Sequence, residues 1–174
     1  MQLIIFSGLP GTGKSHLAEA VGCVLPIPVF AKDLLEATLV RSGLGKHQYC
    51  QERLGYAGYE LLTTLAERQL QLGQSAILDS VATFERIRQQ WRDLAARYEA
   101  TFGVIECICS DESLHRSRLN GRQRHIPDWV ELSWADVLAV RERFEPWTDD
   151  RLVVDAVNPV EENITVVLTY LGQS

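Results

Sequence analysis

An apolar strand, a glycine-rich loop and an amphipathic helix follow one another within the first 25 residues. Residues 3–6 have the sequence LIIF, a continuous apolar run typical of parallel sheets, in which both faces of a strand are covered. Glycines then recur through residues 8–13, and Leu17, Val21 and Leu25 follow at helical spacing. A strand that passes through a tight loop into a helix is the first unit of a parallel α/β fold.

Short apolar runs and helical patterns alternate along the rest of the chain. Further strands are predicted at residues 27–30, 75–79, 101–109 and 151–155. The clearest helical period joins residues 84, 87, 91, 94, 95 and 98, and another helix is predicted from Tyr56 to Leu72, with Leu72 on its buried face. This alternation predicts a parallel sheet with helices on both faces. Active sites in such sheets lie at the carboxyl ends of the strands.

Length and composition limit the class of protein. With 174 residues, 46% of them hydrophobic and 23% charged, the chain is typical of a single globular domain spanning residues 1–174. The net charge of −6 gives no attraction to nucleic acid or to anionic membranes, so neither is expected as a partner. No apolar run approaches the ~20 residues that span a bilayer, and no basic stretch precedes the first strand as in a signal peptide. Cys107 and Cys109 are interpreted as reduced core thiols. We therefore expect a cytoplasmic protein.

Residues 8–15, with the sequence GLPGTGKS, fit the pattern G-x-x-x-x-G-K-[ST] at every required position. The glycines permit the positive φ angles with which a backbone can wrap around phosphates, and the loop N–H groups form an anion nest at a helix N-terminus. Lys14 is predicted to bridge the β- and γ-phosphates, and the Ser15 hydroxyl to bind Mg²⁺. A glycine-rich turn without a ligand is the alternative, which the flanking strand and helix disfavour. The expected nucleotide-binding residues are Gly8, Pro10, Gly11, Thr12, Gly13, Lys14, Ser15 and His16.

Three classes of protein share this loop: switch GTPases, remodelling ATPases and small-molecule kinases. The N-K-x-D run that usually reads guanine does not occur, and 174 residues leave little room for the helical second domain of a remodelling ATPase. A kinase needs a base near the acceptor hydroxyl and a cationic lid over the phosphates. A regulatory protein that hydrolyses ATP slowly and acts on a protein partner is the alternative to a kinase.

Two aspartates follow predicted strands. Asp33 comes just after the second strand, where a carboxylate could take the proton of an acceptor hydroxyl. Asp33 and Glu36 also have the spacing of a helix cap, and the two roles can coexist. Asp79 ends the third strand, which is the usual place for a carboxylate that holds Mg²⁺ directly or through water. The alternative for Asp79 is a turn residue at the end of a strand.

Residues 116–124 contain four arginines in an otherwise acidic chain. Arg118 and Arg122 are four residues apart, so on a helix both guanidinium groups lie on one face. Such a run is either a solvated helix face or part of a lid, which we expect at about residues 111–144. The histidines at 16, 47, 115 and 125 pair with no cysteine at metal-ligand spacing.

These parts occur in the order found in small P-loop kinases, and the chain resembles the predicted-kinase, zeta toxin-like and chloramphenicol phosphotransferase-like group of AAA-type ATP-binding kinases. The resemblance covers nearly the whole chain and is carried by GLPGTGKS at 8–15, AKD at 31–33, ILDS at 77–80, R-L-x-x-R at 118–122 and FEP at 144–146. It implies a three-layer P-loop α/β fold whose five-stranded parallel sheet has the order 2-3-1-4-5, with a helical lid.

The resemblance also implies a reaction. It implies transfer of the γ-phosphoryl group of ATP, with Mg²⁺, to a hydroxyl of a small-molecule alcohol. Asp33 would be the catalytic base, with Arg118 and Arg122 closing on the phosphates. At the position three residues after the base, where the group often has Arg or Lys, this chain has Glu36. We therefore expect a neutral or cationic alcohol, and a polynucleotide 5′-kinase is disfavoured by Glu36 and by the net charge.

Overall fold

A five-stranded parallel sheet forms the middle layer of the computed structural model, which describes residues 1–44, 51–121 and 131–172, without the side chains of residues 51–53. The strands are β1 (Gln2–Ser7), β2 (Val29–Ala31), β3 (Ala76–Asp79), β4 (Thr101–Ile108) and β5 (Leu152–Asp155). All neighbouring strands pair in parallel, in the order β2-β3-β1-β4-β5. The predicted fold class and strand order are therefore confirmed.

Helices cover both faces of this sheet. They are α1 (Lys14–Val24), α2 (Lys32–Arg41), α3 (Gln51–Gln71), α4 (Glu85–Arg97), α5 (Glu112–Asn120), α6 (Trp134–Arg143) and α7 (Val160–Tyr170). None of the helices in the described part of the chain combines the length and the apolar composition that crossing a membrane requires. Helices α5 and α6 fall in the predicted lid, whose function stays a prediction.

The central strand β1 divides its side chains between two cores. Leu3 and Ile5 pack into a cluster with residues of α3 and α4, including the fully buried Trp91. Ile4 and Phe6 point to the opposite face, into a cluster built mainly from α1 and α7. Because side chains alternate along a strand, the continuous apolar run of β1 is what a strand covered on both faces needs.

Several element boundaries differ from those predicted, the most at the start of α3, which begins at Gln51 rather than at Tyr56. Strand β2 begins at Val29 rather than at residue 27, because the Ile27 N–H donates to the Gly22 carbonyl (3.0 Å) and Pro28 has no N–H to give to a neighbouring strand. Helix α3 ends at Gln71, and Leu72 is 54% exposed, so the predicted burial of Leu72 is wrong. Gly73, with φ +72°, turns the chain there.

The carboxyl ends of three adjacent strands lie level with one another. Asp79 pairs with Phe6 of β1 on one side and with Ala31 of β2 on the other. On the far side of β1, Ser7 pairs with Glu106 of β4. The loops that follow β1, β2 and β3 therefore leave the sheet along one edge, which is where the sequence predicts the active site.

Candidate active site

The loop between β1 and α1 has the backbone conformation that its glycines permit. Gly8, Gly11 and Gly13 have φ angles of 137°, 87° and 81°. The loop also passes very close to β4, because a Cβ atom added at Gly8 would lie 2.1 Å from the Cys107 carbonyl oxygen. A side chain at Gly8 would therefore require both a disfavoured φ and a displacement of the sheet.

The N-terminus of α1 is open to an anion. Its N-cap residue is Gly13, which has no side chain to cap the first helical N–H groups. A cavity of about 180 Å³ adjoins them, lined by Gly11, Gly13, Lys14, Ser15, His16 and Arg118. We name this the phosphate cavity. The helix dipole, the loop N–H groups and the Lys14 ammonium all favour negative charge there.

A second cavity, of about 290 Å³, adjoins the phosphate cavity, and Gly13, His16 and Arg118 line both. We name it the apolar cavity. Its remaining lining residues are Thr12, Leu17, Cys107, Val154, Ala156, Asn158, Val160 and Asn163. Its walls are mostly apolar with a few polar side chains, which is the usual character of a pocket for a small molecule.

Arg118 is the residue of the arginine run that contacts these cavities in the described structure. It lies in the last turn of α5 and donates from Nη1 to the Ala156 carbonyl at 2.8 Å. Arg116, on the same helix, instead binds Glu112 and lies over the Trp134 ring at 4.6 Å. The predicted lid residue Arg122 lies outside the described residues.

The Cys107 thiol forms part of the core beneath the loop. Burial raises the pKa of Cys107 to about 12, although the nearby Lys14 charge lowers it. The thiol is therefore neutral at physiological pH, and its predicted role as a core residue is confirmed. Cys109 follows the last residue of β4 and is only half-buried, its Sγ lying 3.4 Å from the Asp111 carbonyl, so its predicted core position is wrong.

Asp33 is the second residue of α2 and lies just beyond β2. The N-cap of α2 is Ala31, so the predicted helix cap at Asp33 is wrong: the helix begins one residue before the aspartate. The side chain of Asp33 is half-buried. Since β3 separates β2 from β1, and neighbouring strands are ~4.8 Å apart, the chain at Asp33 lies about 10 Å across the sheet from the loop.

Glu36 forms an ion pair with Lys32 between α2 and α3. The Glu36 carboxylate lies 2.5 Å from Lys32 Nζ, and the two side chains are 12% and 14% exposed. The ammonium lies 4.7 Å from the centre of the Tyr59 ring. A Cβ at Gly58 would approach Glu36 Cγ to 2.9 Å, so this glycine makes room for the pair. Because Lys32 neutralises its charge, Glu36 is no longer an argument against an anionic acceptor.

Asp79 and Ser15, at the end of β3 and the start of α1, offer a carboxylate and a hydroxyl as metal ligands. Asp79 ends β3 and is 4% exposed, and Ser15 is the second residue of α1. Among the described residues, no three His, Cys, Asp or Glu side chains converge as a metal site. Oxygen donors in this small number fit Mg²⁺, which commonly takes one or two protein ligands and completes its shell with water and phosphate.

The sequence pattern of the AAA domain family matches residues 3–147. The chain belongs to the AAA domain family. Curated proteins give no match to the sequence. Among solved structures, a proposed kinase from Chloroflexus aurantiacus is 26% identical over 97% of each chain, with a TM-score of 0.77. A sugar kinase from Janibacter is 15% identical, covers 100% of this chain and 96% of its own, and has a TM-score of 0.72.

A third similar structure contains a nucleotide. Kti12 from Chaetomium thermophilum, in complex with ADP-AlF3, is 18% identical and covers 97% of this chain and 98% of its own, with a TM-score of 0.69. Together with the kinases, it shows that this member of the AAA domain family has the fold of P-loop kinases. The predicted family resemblance is thereby confirmed.

Three residues that support the loop of this AAA domain were not predicted from the sequence. The Trp147 Nε1–H donates to Ser7 Oγ at 3.0 Å, and the Ser7 hydroxyl donates to the Val81 carbonyl at 2.8 Å. His115 of α5 lies 2.7 Å from the Pro10 carbonyl through its Nε2. These partners are separated by between 74 and 140 positions in the chain, and no local pattern signals such contacts.

Another unpredicted residue is Arg88, whose fully buried guanidinium joins two segments beside the site. It donates to the carbonyls of Ala82 (2.8 Å), Glu145 (2.6 Å) and Pro146 (3.0 Å). Its charge also lies 4.0 Å from the centre of the Trp147 ring. Burial lowers the pKa of Arg88, against the raising effect of nearby carboxylates. In this AAA domain, the helical period of α4 therefore gives no indication that Arg88 is a buried cation.

Proposed function

We propose that the protein is an ATP-dependent kinase that transfers the γ-phosphoryl group, with Mg²⁺, to a hydroxyl of a small-molecule acceptor. The observation that carries the proposal is the alignment of Phe6, Ala31 and Asp79 at the ends of three adjacent strands. This alignment brings the phosphate-binding loop, Asp33 and Asp79 to one edge. Hydrolysis of ATP needs only the loop and a carboxylate near Mg²⁺, such as Asp79. Asp33, a second carboxylate beyond β2, suits a reaction in which an acceptor hydroxyl must lose its proton.

The two adjoining cavities support ATP as the phosphoryl donor. The apolar cavity suits the nucleobase, and the phosphates would then lie against Lys14 and the loop amides. The similarity to Kti12, whose structure holds ADP-AlF3, supports the same assignment. Ser15 and Asp79 are the residues that would hold Mg²⁺, which neutralises charge on the β- and γ-phosphates when bound.

The proposed step uses the residues of this chain in distinct roles. A carboxylate oxygen of Asp33 takes the proton of the acceptor hydroxyl as the acceptor oxygen forms its bond to the γ-phosphorus. The bond from that phosphorus to the β–γ bridging oxygen breaks, and ADP leaves. Lys14 and Arg118 stabilise the charge on the transferring group, and Arg122 is expected to assist them.

The acceptor is expected to be an uncharged alcohol. Two charged side chains beside Asp33 on α2, Lys32 and Glu36, form a pair with no net charge, so neither attracts an ionic acceptor strongly. The similarity to a sugar kinase favours a polyol among neutral alcohols. A nucleic-acid acceptor is disfavoured by the net charge of −6.

The test follows the label from γ-labelled ATP in the presence of Mg²⁺, a panel of sugars and other alcohols, and a filtered extract of small molecules. Wild type is compared with Asp33→Asn and with Asp93→Asn, a matched control in which an exposed carboxylate on α4 is lost. We expect label in a new small molecule. Transfer should fall by at least about a hundredfold in Asp33→Asn, with ATP affinity retained, and remain unchanged in Asp93→Asn.

Two results would contradict the proposal. Full transfer by Asp33→Asn would exclude Asp33 as the base. Label found only in free phosphate, at the same slow rate in wild type and Asp33→Asn, would favour a regulatory ATPase that acts on a protein partner.

A further inference from the structure

His115 contacts the phosphate-binding loop from α5. Its side chain is 2% exposed, and its Nε2 lies 2.7 Å from the Pro10 carbonyl oxygen. A carbonyl oxygen can only accept a hydrogen bond, so Nε2 carries the proton and donates it. The ring also meets the Trp134 indole edge to face, with 5.0 Å between ring centres. The imidazole is therefore held in one orientation, and its N–H points at the loop.

The Pro10 carbonyl and the Gly11 N–H belong to the same peptide group. The group is trans, since none of the described residues follows a cis peptide bond, and in a trans peptide the C=O and N–H point in opposite directions. Holding the carbonyl toward α5 therefore turns the Gly11 N–H to the opposite side. Gly11 also lines the phosphate cavity.

Glycine makes this orientation easy to lose. Gly11 has φ +87°, and a glycine populates positive and negative φ almost equally, so the peptide before it can rotate at low cost. The remainder of the loop has its own constraint, because the Thr12 hydroxyl donates to the Leu9 carbonyl at 2.8 Å. A Cβ at Gly11 would approach His115 Nε2 to 3.0 Å, so the ring lies directly over this peptide.

We propose that His115 is a positioning residue of the nucleotide site: its Nε2–H holds the Pro10 carbonyl and thereby directs the Gly11 N–H at a phosphate oxygen of the bound nucleotide. The inference rests on the nucleotide part of the proposed function and is independent of the acceptor. It assigns to a residue of α5 a role that reaches the phosphates through the loop backbone, without contact with the nucleotide.

The test measures binding of ATP and of adenosine by calorimetry, so it does not depend on finding an acceptor. His115→Phe keeps a ring against Trp134 but loses the donor, and His115→Gln restores a side-chain N–H. If the larger ring prevents folding, His115→Leu replaces it. Arg116→Gln is the matched control, since Arg116 also contacts Trp134 but gives its hydrogen bonds to Glu112.

We expect His115→Phe to bind ATP about tenfold more weakly than wild type and adenosine with unchanged affinity. His115→Gln should recover most of the ATP affinity, and Arg116→Gln should match wild type. Wild-type ATP affinity in a folded His115→Phe or His115→Leu variant would overturn the inference. An equal loss for ATP and adenosine would do the same, since it would indicate only a packing role.

Failure of the proposed function gives a different pattern. ATP binding by wild type with the expected effect of His115→Phe, but without phosphoryl transfer to any alcohol, would overturn the kinase and leave the role of His115 supported. If wild type bound neither ATP nor GTP, both proposals would be wrong.

Discussion

Arg88→Met should destabilise the fold far more than an ordinary change on a helix. Arg88 lies on α4, yet its guanidinium is fully buried and joins the loop after β3 to the segment after α6. Methionine replaces the aliphatic part of the arginine side chain but not its guanidinium group, so the change removes the hydrogen bonds and the charge while keeping more of the packing than alanine would.

The size of the effect follows from the contacts that are lost. A hydrogen bond from a charged donor contributes about 1.5–3 kcal/mol to stability, and most of this stabilisation is lost where a buried carbonyl is left without a donor. The Ala82 carbonyl is buried, whereas those of Glu145 and Pro146 are partly buried and can recover a bond to water. The contact with the Trp147 ring adds about 1 kcal/mol. Burying the guanidinium itself costs free energy, as the lowered pKa of Arg88 indicates, so we expect a net loss of about 3 kcal/mol.

Urea unfolding and thermal unfolding check this value. For a chain of this length, a loss of about 3 kcal/mol lowers the melting temperature by roughly 6–12 °C. The matched control is Arg86→Met, which removes an exposed arginine on the same helix that contacts the Tyr56 ring. The control should change the free energy of unfolding by less than about 0.5 kcal/mol. If Arg88→Met loses no more than the control, the three carbonyl contacts contribute nothing to stability and the reasoning is refuted.

Three further predictions concern the loop and α6. Lys14→Ala should weaken ATP binding and phosphoryl transfer together, measured by calorimetry and by label transfer; loss of transfer with unchanged binding would be evidence against a ground-state phosphate contact. Gly8→Ala should lower the free energy of unfolding by at least about 2 kcal/mol in urea, because the new Cβ would lie 2.1 Å from the Cys107 carbonyl; a stable variant would refute the close approach. Ser133→Ala should cost about 1 kcal/mol at neutral pH and less at about pH 3. Hydrogen bonds from Ser133 hold the pKa of Asp136 below its usual value, so their stabilisation is present above that value and is lost as the pH falls through the lowered one. An equal cost at both pH values in urea unfolding would exclude the carboxylate from the capping effect.

The centre of the fold could be predicted because local signals agree there. The run at residues 3–6, the loop glycines and the spacing of Leu17 and Val21 all indicate one strand–loop–helix unit, and the structure has it as β1 and α1. Helix α5 likewise begins after Asp111, whose side chain accepts from the Leu114 N–H at 3.0 Å. Propensity, pattern and capping indicate the same elements, so these were predictable without tertiary contacts.

The start of α2 was less predictable than these elements. Asp33 has the residue type and spacing of a cap, but α2 begins at Lys32. Its position is set by the pairing of Ala31 with Asp79 in the sheet and by the packing of Lys32 and Glu36 against α3. Tertiary contacts of this kind shift the start of α2 by two residues from the predicted cap, which is enough to change the role of a capping side chain.

The supports of the site could not be predicted, since each joins distant parts of the chain. His115 stands in a charged run that suggests a solvated helix face, yet it is buried against Pro10. Arg88 falls in the stripe of α4, where the pattern predicts apolar residues. A pattern of hydrophobic spacing identifies the buried face of a helix, but it carries no information on which polar side chain finds partners inside.

The hydrogen bond between Trp147 and Ser7 spans 140 positions, and this separation fixes an order of events during synthesis. A growing chain that has reached the end of α2 already holds every residue of the glycine-rich loop. It still lacks Val81 and Trp147, which hold Ser7, and His115, which holds Pro10. Contacts of such long separation form late, because the entropy of closing the intervening chain must first be overcome. The earliest-made part of the site is thus the last to take its shape, and binding of nucleotide would report that the whole sheet has folded.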